Sequence, residues 1–391
     1  MKIKSLKQDL LGAFEVTDRR KEVIDNGSSI IDTTDATSLV AKQLHPGKIQ
    51  IRLIDIKEVN EGVKTFTFES LDKHLPYFQA GQYLSLSVKI GNTITTRPYS
   101  ICSAPYQTRG ENPLIQITVR KQTDDGFVSI YLNDDAKLGD IFSAEIGLGD
   151  FYYDSIKDSK NVVAIAGGSG ITPFLSMARE IKNGSLDVNL TILHGSRTIK
   201  DIILKNELEE CICPKVKVID VLSDEKDYSG EKGFINAELI KKYSNEDSTY
   251  FICGPQNMYN FVKGELSKLN IPTKRIHFEV FGNPKDPRNL QGYDLSNYDK
   301  TFSMKVIRGE RVDVIPALGK ENIAVALERA GFKIHTGCRA GSCGFCRVKV
   351  IDGSYFVSPI NDQRRATDKE FNYVYSCSTY PTSDLTVKIS I

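Results

Sequence analysis

Residues 338–346 read Cys-Arg-Ala-Gly-Ser-Cys-Gly-Phe-Cys, and a fourth cysteine, Cys377, follows inside Tyr-Ser-Cys-Ser-Thr. The loop therefore contributes three thiols, those of Cys338, Cys343 and Cys346. A C-x4-C-x2-C spacing with a distant fourth cysteine is the ligand spacing of a 2Fe-2S cluster. Glycines lie beside or between these ligands, which suits a loop that must turn its N–H groups towards sulfur, because glycine adopts positive φ at little cost.

Structural zinc is the alternative use for four cysteines. Zinc sites usually pair C-x2-C with a second close pair of ligands. Here three ligands share one loop and the fourth stands alone. The spacing therefore favours an iron–sulfur cluster, with Cys338, Cys343, Cys346 and Cys377 as the predicted metal ligands.

The sequence around these cysteines resembles a plant-type ferredoxin domain over residues 301–391. Residues 302–306 alternate as a first strand, and residues 323–331 form an apolar helical pattern that ends at a glycine. Residues 348–350 and 385–389 alternate as later strands. The resemblance implies an α+β fold of the β-grasp type around a 2Fe-2S cluster.

The chain has 391 residues, which is enough for about three domains. Its 51 Lys plus Arg and 50 Asp plus Glu argue against a nucleic-acid partner, which needs a concentrated basic face. No run of eighteen apolar residues is present, so no membrane span is predicted. The N-terminus has charges but no uninterrupted apolar core, so no secretory signal is expected. A cluster that needs free thiols favours a reducing compartment, and a cytoplasmic protein is predicted.

Residues 1–46 match no motif. Their apolar residues have patchy helical spacing, interrupted by a turn-forming stretch at residues 25–29. The segment can cap a neighbouring domain, form a dimer contact or dock a partner, and the oligomeric state stays open. Apolar periodicity alone usually marks core, so a short helical arm packed on its own barrel is the favoured interpretation.

Residues 47–157 form short alternating stretches separated by turn residues, which predicts a closed or nearly closed antiparallel β-barrel. This region contains Arg97-Pro98-Tyr99-Ser100. A guanidinium binds phosphate bidentately, a tyrosine ring packs on a flat aromatic ring system, and proline restricts the backbone. Taken alone, the tetrapeptide is equally a strand end with a surface arginine.

The tetrapeptide resembles the R-x-Y-S flavin motif of the ferredoxin–NADP reductase family. In that family the serine lies beside the flavin N5, and a following strand, here with Val119, completes the first flavin element. A second element, Gly-x-x-Ser, opens a short helix whose free N–H groups attract the pyrophosphate, and it favours FAD over FMN. The flavin-binding residues implied by the resemblance are Arg97, Pro98, Tyr99, Ser100, Val119, Gly126, Phe127, Val128 and Ser129.

Residues 158–282 predict an α/β domain with a parallel sheet. Residues 161–166 are a continuous apolar run, typical of a strand buried on both faces, and a glycine-rich turn leads from it into an amphipathic helix. Such a turn presents N–H groups to a dinucleotide pyrophosphate. Its sequence, Gly-Gly-Ser-Gly-Ile-Thr-Pro, resembles the nicotinamide motif of the same family. The resemblance implies binding roles for Gly168, Gly170, Ile171, Thr172 and Pro173.

Two further stretches of this domain resemble the family. Ser196 and Arg197 follow the next strand, where relatives meet the adenosine ribose; an arginine here occurs in both NADPH- and NADH-using relatives, so the choice of NADH or NADPH stays open. The second stretch resembles a Cys-Gly-Pro motif beside the nicotinamide ring, and a buried structural thiol is its alternative. Its residues are Cys253, Gly254, Pro255 and Met258.

The end of the domain contains an acidic residue, one spacer and a phenylalanine, as in relatives fused to ferredoxin. These residues are Glu279 and Phe281. The phenylalanine either covers the flavin face or is a strand-end core residue. The resemblance implies catalytic roles for Ser100, Cys253, Glu279 and Phe281. Residues 283–300 lack an apolar period and predict a semi-flexible linker.

The resemblance covers residues 47–391 and implies a multidomain reductase. Nicotinamide releases two electrons as hydride, a cluster accepts one, and a flavin handles both. We therefore expect an NAD(P)H-dependent iron–sulfur flavoprotein that passes electrons to a partner redox protein, such as an oxygenase component or a hybrid-cluster protein. A redox-sensing relay subunit and a diaphorase without a protein acceptor are the alternatives, and the sequence does not name the acceptor.

Overall fold

A computed structural model describes residues 6–27, 35–44, 46–72, 74–91, 93–122, 127–279, 282, 286–359 and 362–389. The chain divides into two compact units, Met1–Pro46 and Gly47–Ile391. The first unit contains two helices, α1 (Leu6–Asp25) and α2 (Ala36–Leu44). The α1 side chains from Phe14 onwards are exposed. In the part of the chain that the structure describes, no helix is both long and apolar enough to cross a membrane.

The first sheet of the larger unit is antiparallel and has six strands in the order β4-β3-β6-β1-β2-β5. A β-bridge between Ile101 and Ile117 joins its two ends, so the sheet curls into a barrel. In β1, buried Ile49, Ile51 and Leu53 alternate with exposed residues, which turns one face of the strand inward. The elements are β1 (Lys48–Asn60), β2 (Val63–Ser70), β3 (Tyr83–Ile90), β4 (Thr93–Ser100), β5 (Ile115–Arg120), α3 (Phe127–Asp134) and β6 (Ile141–Leu148).

The second sheet is parallel throughout, in the order β10-β9-β8-β7-β11-β12. Successive strands run outward from β7 to β10 and then on the other side through β11 and β12. The crevice at the carboxyl ends of β7 and β11, where this order reverses, is the usual ligand position of such a sheet. The elements are β7 (Asn161–Gly167), α4 (Thr172–Lys182), β8 (Asn189–Ser196), α5 (Lys205–Cys211), β9 (Val216–Leu222), β10 (Glu231–Lys232), α6 (Ala237–Lys242), β11 (Thr249–Cys253), α7 (Gln256–Lys268) and β12 (Ile276–Glu279).

The third region has a mixed five-stranded sheet, β14-β13-β19-β15-β17, and a two-stranded sheet, β16-β18. Asn322 caps helix α8 by accepting a hydrogen bond from the Val325 N–H at 3.0 Å. The elements are β13 (Thr301–Arg308), β14 (Arg311–Leu318), α8 (Ile323–Arg329), β15 (Arg347–Asp352), β16 (Tyr355–Val357), α9 (Ala366–Glu370), β17 (Tyr373–Tyr375), β18 (Thr379–Pro381) and β19 (Leu385–Lys388). The predicted combination of an antiparallel flavin barrel, a parallel nucleotide-binding sheet and a ferredoxin-like sheet is confirmed.

Residues 286–300, which lie in the predicted linker, contain two side chains that pack on the third region. Leu290 and Tyr293 are buried and pack with Tyr380 of β18. The Tyr293 hydroxyl donates a hydrogen bond to the Gly319 carbonyl at 2.9 Å. These few large side chains give no sequence period, yet they bury enough surface to hold the segment on the third region.

Candidate functional site

A cavity of about 1930 Å³ is lined by residues from the barrel, the parallel sheet and the ferredoxin-like region. Its lining includes the turn after β7 and also Cys377 and Tyr380. It is large enough for more than one drug-sized ligand. From the predicted flavin set, the lining contains Arg97, Pro98, Tyr99, Ser100, Val119, Phe127, Val128 and Ser129. Gly126 lies outside the described residues.

Arg97 projects from β4 into a poorly solvated environment. Its Nη1 donates hydrogen bonds to the Thr95 hydroxyl at 2.6 Å and to the Thr96 carbonyl at 3.0 Å. Burial, followed by the nearby Arg339 guanidinium, lowers the pKa of Arg97 to about 10. A partly desolvated cation of this kind favours an anionic ligand, so the residues present fit a flavin phosphate.

The β4 strand also carries Tyr99 and Ser100. Burial raises the pKa of the Tyr99 phenol above its usual value, so the ring stays neutral. On the facing helix, the Ser129 hydroxyl accepts a hydrogen bond from the Gln122 N–H at 3.2 Å. This bond joins the first turn of α3 to Gln122, which follows β5 in the chain. A neutral aromatic ring and a helix start therefore line the same cavity, as a flavin and its phosphates require.

Three predicted catalytic side chains lie together at the carboxyl end of the parallel sheet. Cys253 and Glu279 are direct partners across β11 and β12. The Ser100 hydroxyl donates a hydrogen bond to Glu279 Oε2 at 3.3 Å, joining the barrel to this sheet. Phe281, the fourth predicted member, lies outside the described residues.

Burial shifts the pKa values of Glu279 and Cys253. Desolvation raises the pKa of the Glu279 carboxyl well above its ordinary value, and the Ser100 hydrogen bond opposes this only in part. Desolvation, followed by Glu279, likewise raises the pKa of the Cys253 thiol well above its ordinary value. Burial thus disfavours the ionised form of both groups.

Sequence reasoning missed Tyr259 as part of the site. Its hydroxyl donates a short hydrogen bond to the Glu279 backbone carbonyl and accepts one from the Gly254 N–H at 3.0 Å. The phenol therefore joins β12 to the Cys-Gly-Pro turn. Its position directly after Met258, in the first turn of α7, was the available signal, because side chains there face the carboxyl ends of the strands.

The nicotinamide turn touches the Cys-Gly-Pro turn at Gly170. A Cβ at this position would lie 2.0 Å from the Cys253 carbonyl oxygen, so only glycine fits. The Thr172 hydroxyl, which lines the cavity, donates to the Ser169 carbonyl at 3.0 Å. The rest of the predicted nicotinamide set in the lining is Gly168, Ser196, Arg197, Cys253, Gly254, Pro255 and Met258.

Two predicted nicotinamide residues do not line the cavity. Ile171 is fully buried in the apolar core between α4 and the sheet. Pro173 is buried in the first turn of α4. Proline fits there because the N–H group that it lacks would have no partner within the helix. Their contribution to the turn is structural, because they fix the backbone that Gly170 and Thr172 use.

Arg197 lines the cavity and already has an acidic partner. Its Nε donates a hydrogen bond to Asp224 Oδ2 at 2.8 Å. Asp224 follows β9, which pairs with β8. The sequence interpretation missed this carboxylate, because the two residues meet only through the order of the strands.

The four predicted metal ligands occur as two pairs. Hydrogen bonding from Cys343 is the main cause that lowers the pKa of Cys338. The same relation holds between Cys377 and Cys346, whose pKa is also lowered. The Ser342 hydroxyl donates to Cys338 Sγ at 3.1 Å, and the Ala340 N–H donates to the same sulfur at 3.3 Å.

The two pairs would suit the thiolate ligands of a 2Fe-2S cluster, which would accept one electron at a time when bound. Within the described ranges, no group of three or more His, Cys, Asp or Glu side chains is arranged around a single metal position. The N–H and hydroxyl groups aimed at Cys338 also suit an anionic cluster.

One ligand is more accessible than the others. Cys343 is partly exposed, whereas Cys338, Cys346 and Cys377 are buried. Phe345, two residues further on, is 47% exposed and packs edge-on against His335 at 5.0 Å between ring centroids. The outer face of the cluster loop therefore presents an aromatic side chain beside an accessible ligand.

Three family models match the chain in succession. An oxidoreductase FAD-binding domain matches residues 50–153, an oxidoreductase NAD-binding domain matches residues 164–264, and a 2Fe-2S iron–sulfur cluster binding domain matches residues 307–382. The order is the one predicted, and FAD, NAD and a 2Fe-2S cluster are the cofactors of these domains.

Full-length relatives share this arrangement. The chain is 26% identical over 359 residues to the glycine betaine monooxygenase reductase subunit of Chromohalobacter salexigens, covering 88% of this chain and 95% of the relative. It is 28% identical over 319 residues to the NADH oxidoreductase HCR of Escherichia coli, covering 80% and 89%. The structure of phthalate dioxygenase reductase superimposes with a TM-score of 0.66 at 22% identity, covering 88% of this chain and 98% of that one, which shows a shared fold.

The resemblance seen in the sequence is thus confirmed along the whole larger unit. The flavin strand, the nicotinamide turn and the paired cysteines each lie within the domain model that describes their chemistry. The chain is an iron–sulfur flavoprotein oxidoreductase with FAD-binding, NAD-binding and C-terminal 2Fe-2S domains, and it is similar over most of its length to reductase subunits of oxygenase systems.

Proposed function

We propose that the protein takes electrons from NADH, passes them through FAD to its 2Fe-2S cluster, and delivers them singly to a partner redox protein, such as an oxygenase component. The observation that carries this proposal is the cavity that joins the nicotinamide turn, the flavin strand and Cys377. Relatives over most of the chain include a monooxygenase reductase subunit. Electron transfer needs donor and acceptor sites that lie close to one another, and a shared cavity brings them together.

The chain's own residues supply placement and a dry environment. Arg97 and the start of α3 would hold the flavin phosphates, and Tyr99 would pack on the ring. FAD, when bound, converts a two-electron donor to a one-electron acceptor. Buried Glu279 accepts the Ser100 hydrogen bond and would orient that hydroxyl, and buried Cys253 would line the hydride path. Tyr259 fixes both through the backbone.

We propose NADH as the preferred donor. The 2′-phosphate of NADPH would meet Arg197, whose Nε already donates a hydrogen bond to Asp224 at 2.8 Å. The added phosphate would compete with the Asp224 carboxylate for this guanidinium and would be repelled by that carboxylate. NADH lacks this phosphate, so the Arg197–Asp224 ion pair does not weaken its binding.

The accessible face of the cluster loop is the proposed exit for electrons. Cys343 is the partly exposed ligand, and Phe345 stands beside it. An exposed aromatic side chain is a common anchor in transient protein interfaces. The cytoplasm is the proposed compartment, because a cluster held by thiolates needs reducing surroundings.

Anaerobic stopped-flow absorbance tests the scheme. Mixing with NADH should bleach the flavin band first and the cluster band next, both within the turnover time, and NADPH should act more slowly. The variant Cys377→Ala, which removes one iron ligand, should still reduce small dyes but should no longer reduce an oxygenase or other protein acceptor. Cys213→Ala is the matched control, because Cys213 lies away from the cavity lining.

Three outcomes would refute the proposal or favour an alternative. A flavin-loaded Cys377→Ala protein that loses dye reduction as well contradicts the order of transfer. A variant that still reduces the protein acceptor indicates a diaphorase that bypasses the cluster. Cluster reduction far slower than turnover in the unaltered enzyme indicates a sensing relay.

A further inference from the structure

Glu328 lies between two arginines that belong to different parts of the fold. It sits in α8 of the ferredoxin-like region, and its Oε1 accepts a short hydrogen bond from Arg339 Nη2. Its Oε2 lies 3.8 Å from Nη1 of Arg97, on the flavin strand. Thr95 Oγ1, on the same strand, accepts from Arg97 at 2.6 Å and from Arg339 at 3.3 Å.

These charges are poorly solvated. The side chains of Glu328 and Arg339 are 7% and 9% exposed, and that of Arg97 is 27% exposed. A buried ion pair whose partner is removed leaves an uncompensated charge, which is costly. By contrast, the nearby Arg329–Glu321 pair joins two residues of the ferredoxin-like region only. Glu328 is therefore distinguished by its reach to another domain.

Arg339 links this network to the cluster. It follows Cys338 directly and has a positive φ of 54°, which is unusual for a residue with a side chain. The same loop contacts the barrel through the Ser85 hydroxyl and the Thr336 carbonyl, at 3.5 Å. The Cys338 carbonyl also accepts from the Gly282 N–H at 3.2 Å. The loop of residues 336–343, which carries two of the predicted cluster ligands, thus contacts the β3–β4 hairpin that carries the flavin motif.

We propose that Glu328 is a positioning residue that holds the cluster loop against the flavin strand, by binding Arg339 and Arg97 on its two oxygens. The proposal rests on the proposed function, since it explains how the cluster reaches a fixed distance from the flavin. Two guanidinium groups and one carboxylate leave one positive charge among the three. The flavin phosphates, which Arg97 would bind, supply the missing negative charge, so flavin binding and seating of the loop reinforce one another.

The test replaces Glu328 by Gln in the holoenzyme. Hydrogen exchange, measured by mass spectrometry, should become at least about tenfold faster in residues 93–100 and 336–343, because the contact between strand and loop is lost. Flavin-to-cluster transfer in stopped flow should slow by a similar factor, while hydride transfer from NADH to flavin stays within about twofold. Glu310→Gln, an exposed change in the same region, is the matched control and should alter neither.

A second variant protects the test against a failure to fold. Thr95→Val removes the hydroxyl shared by both arginines without burying a charge, and its effect should have the same direction and be smaller. In the double variant the two effects should not add, because both remove one network. If Glu328→Gln binds its cofactors and its exchange and transfer rates are unchanged, the proposal is wrong. If Glu328→Gln does not bind its cofactors, unchanged rates in Thr95→Val have the same meaning. Additive effects of the two substitutions in the double variant would also overturn the proposal.

The two readouts separate this proposal from the proposed function. If NADH never reduces the cluster of the unaltered enzyme, the proposed function fails, while the exchange rates still report whether Glu328 holds the loop. If the unaltered enzyme transfers electrons and Glu328→Gln does so equally fast with equal exchange, only the positioning role is wrong.

Discussion

Replacing Glu279 by Gln should change how the stability of the holoenzyme depends on pH. The folded protein raises the pKa of this carboxyl, chiefly by burial. Its contribution to stability is therefore complete below the ordinary pKa of a glutamate and is lost as the pH rises towards the folded-state pKa, because the unfolded chain releases a proton that the folded chain retains. A glutamine cannot ionise, so the stability of the variant does not fall for this reason as the pH rises.

The size of the effect follows from proton linkage. While the folded state holds one proton more than the unfolded state, the free energy of unfolding falls by about 1.4 kcal/mol per pH unit. For a protein region of this size, that corresponds to roughly 3–6 °C in melting temperature per pH unit. The melting temperature of Glu279→Gln should therefore rise relative to that of the unaltered protein by this amount for each pH unit between about 5 and the pKa of Glu279 in the folded protein.

Scanning calorimetry of both holoenzymes between about pH 5.5 and 7.5 measures this difference. Glu246→Gln, an exposed change in the same domain, should track the unaltered protein. Parallel melting curves for Glu279→Gln and the unaltered protein across this range would show that the carboxyl is ionised in the fold, and the argument from burial would be wrong.

Two further substitutions test the nicotinamide end of the site. Asp224→Asn should raise kcat/KM for NADPH by roughly three- to tenfold and leave that for NADH nearly unchanged, because the Arg197 guanidinium becomes available to the 2′-phosphate; steady-state kinetics with both donors measure this, and an unchanged preference contradicts it. Gly170→Ala should slow flavin reduction by NADH by about a hundredfold in stopped flow, because its Cβ would lie 2.0 Å from the Cys253 carbonyl oxygen. Gly264→Ala, whose Cβ meets nothing within 4 Å, is the control, and an equal rate in both variants would refute the close approach.

Much of the site was predictable because its parts are contiguous in sequence. The cysteine ligands, the flavin tetrapeptide and the nicotinamide turn each consist of a few residues whose spacing is set by the group they bind. The three sheets were predictable from the change of apolar period between residues 47–157 and the parallel sheet that follows. Residues 286–300 were not, because isolated aromatic side chains pack without a period.

The sequence, with the resemblance that its motifs carry, determined that a flavin element, a nicotinamide element and a 2Fe-2S element follow one another, since each motif is a short contiguous stretch. Tertiary structure alone decided the contacts between motifs: Asp224 beside Arg197 through the pairing of β8 with β9, and Ser100 beside the buried carboxyl of Glu279. It likewise decided that Glu328 lies between Arg339 and Arg97. These contacts depend on strand order and on burial, and burial sets charge state, so no local pattern of residues contains them.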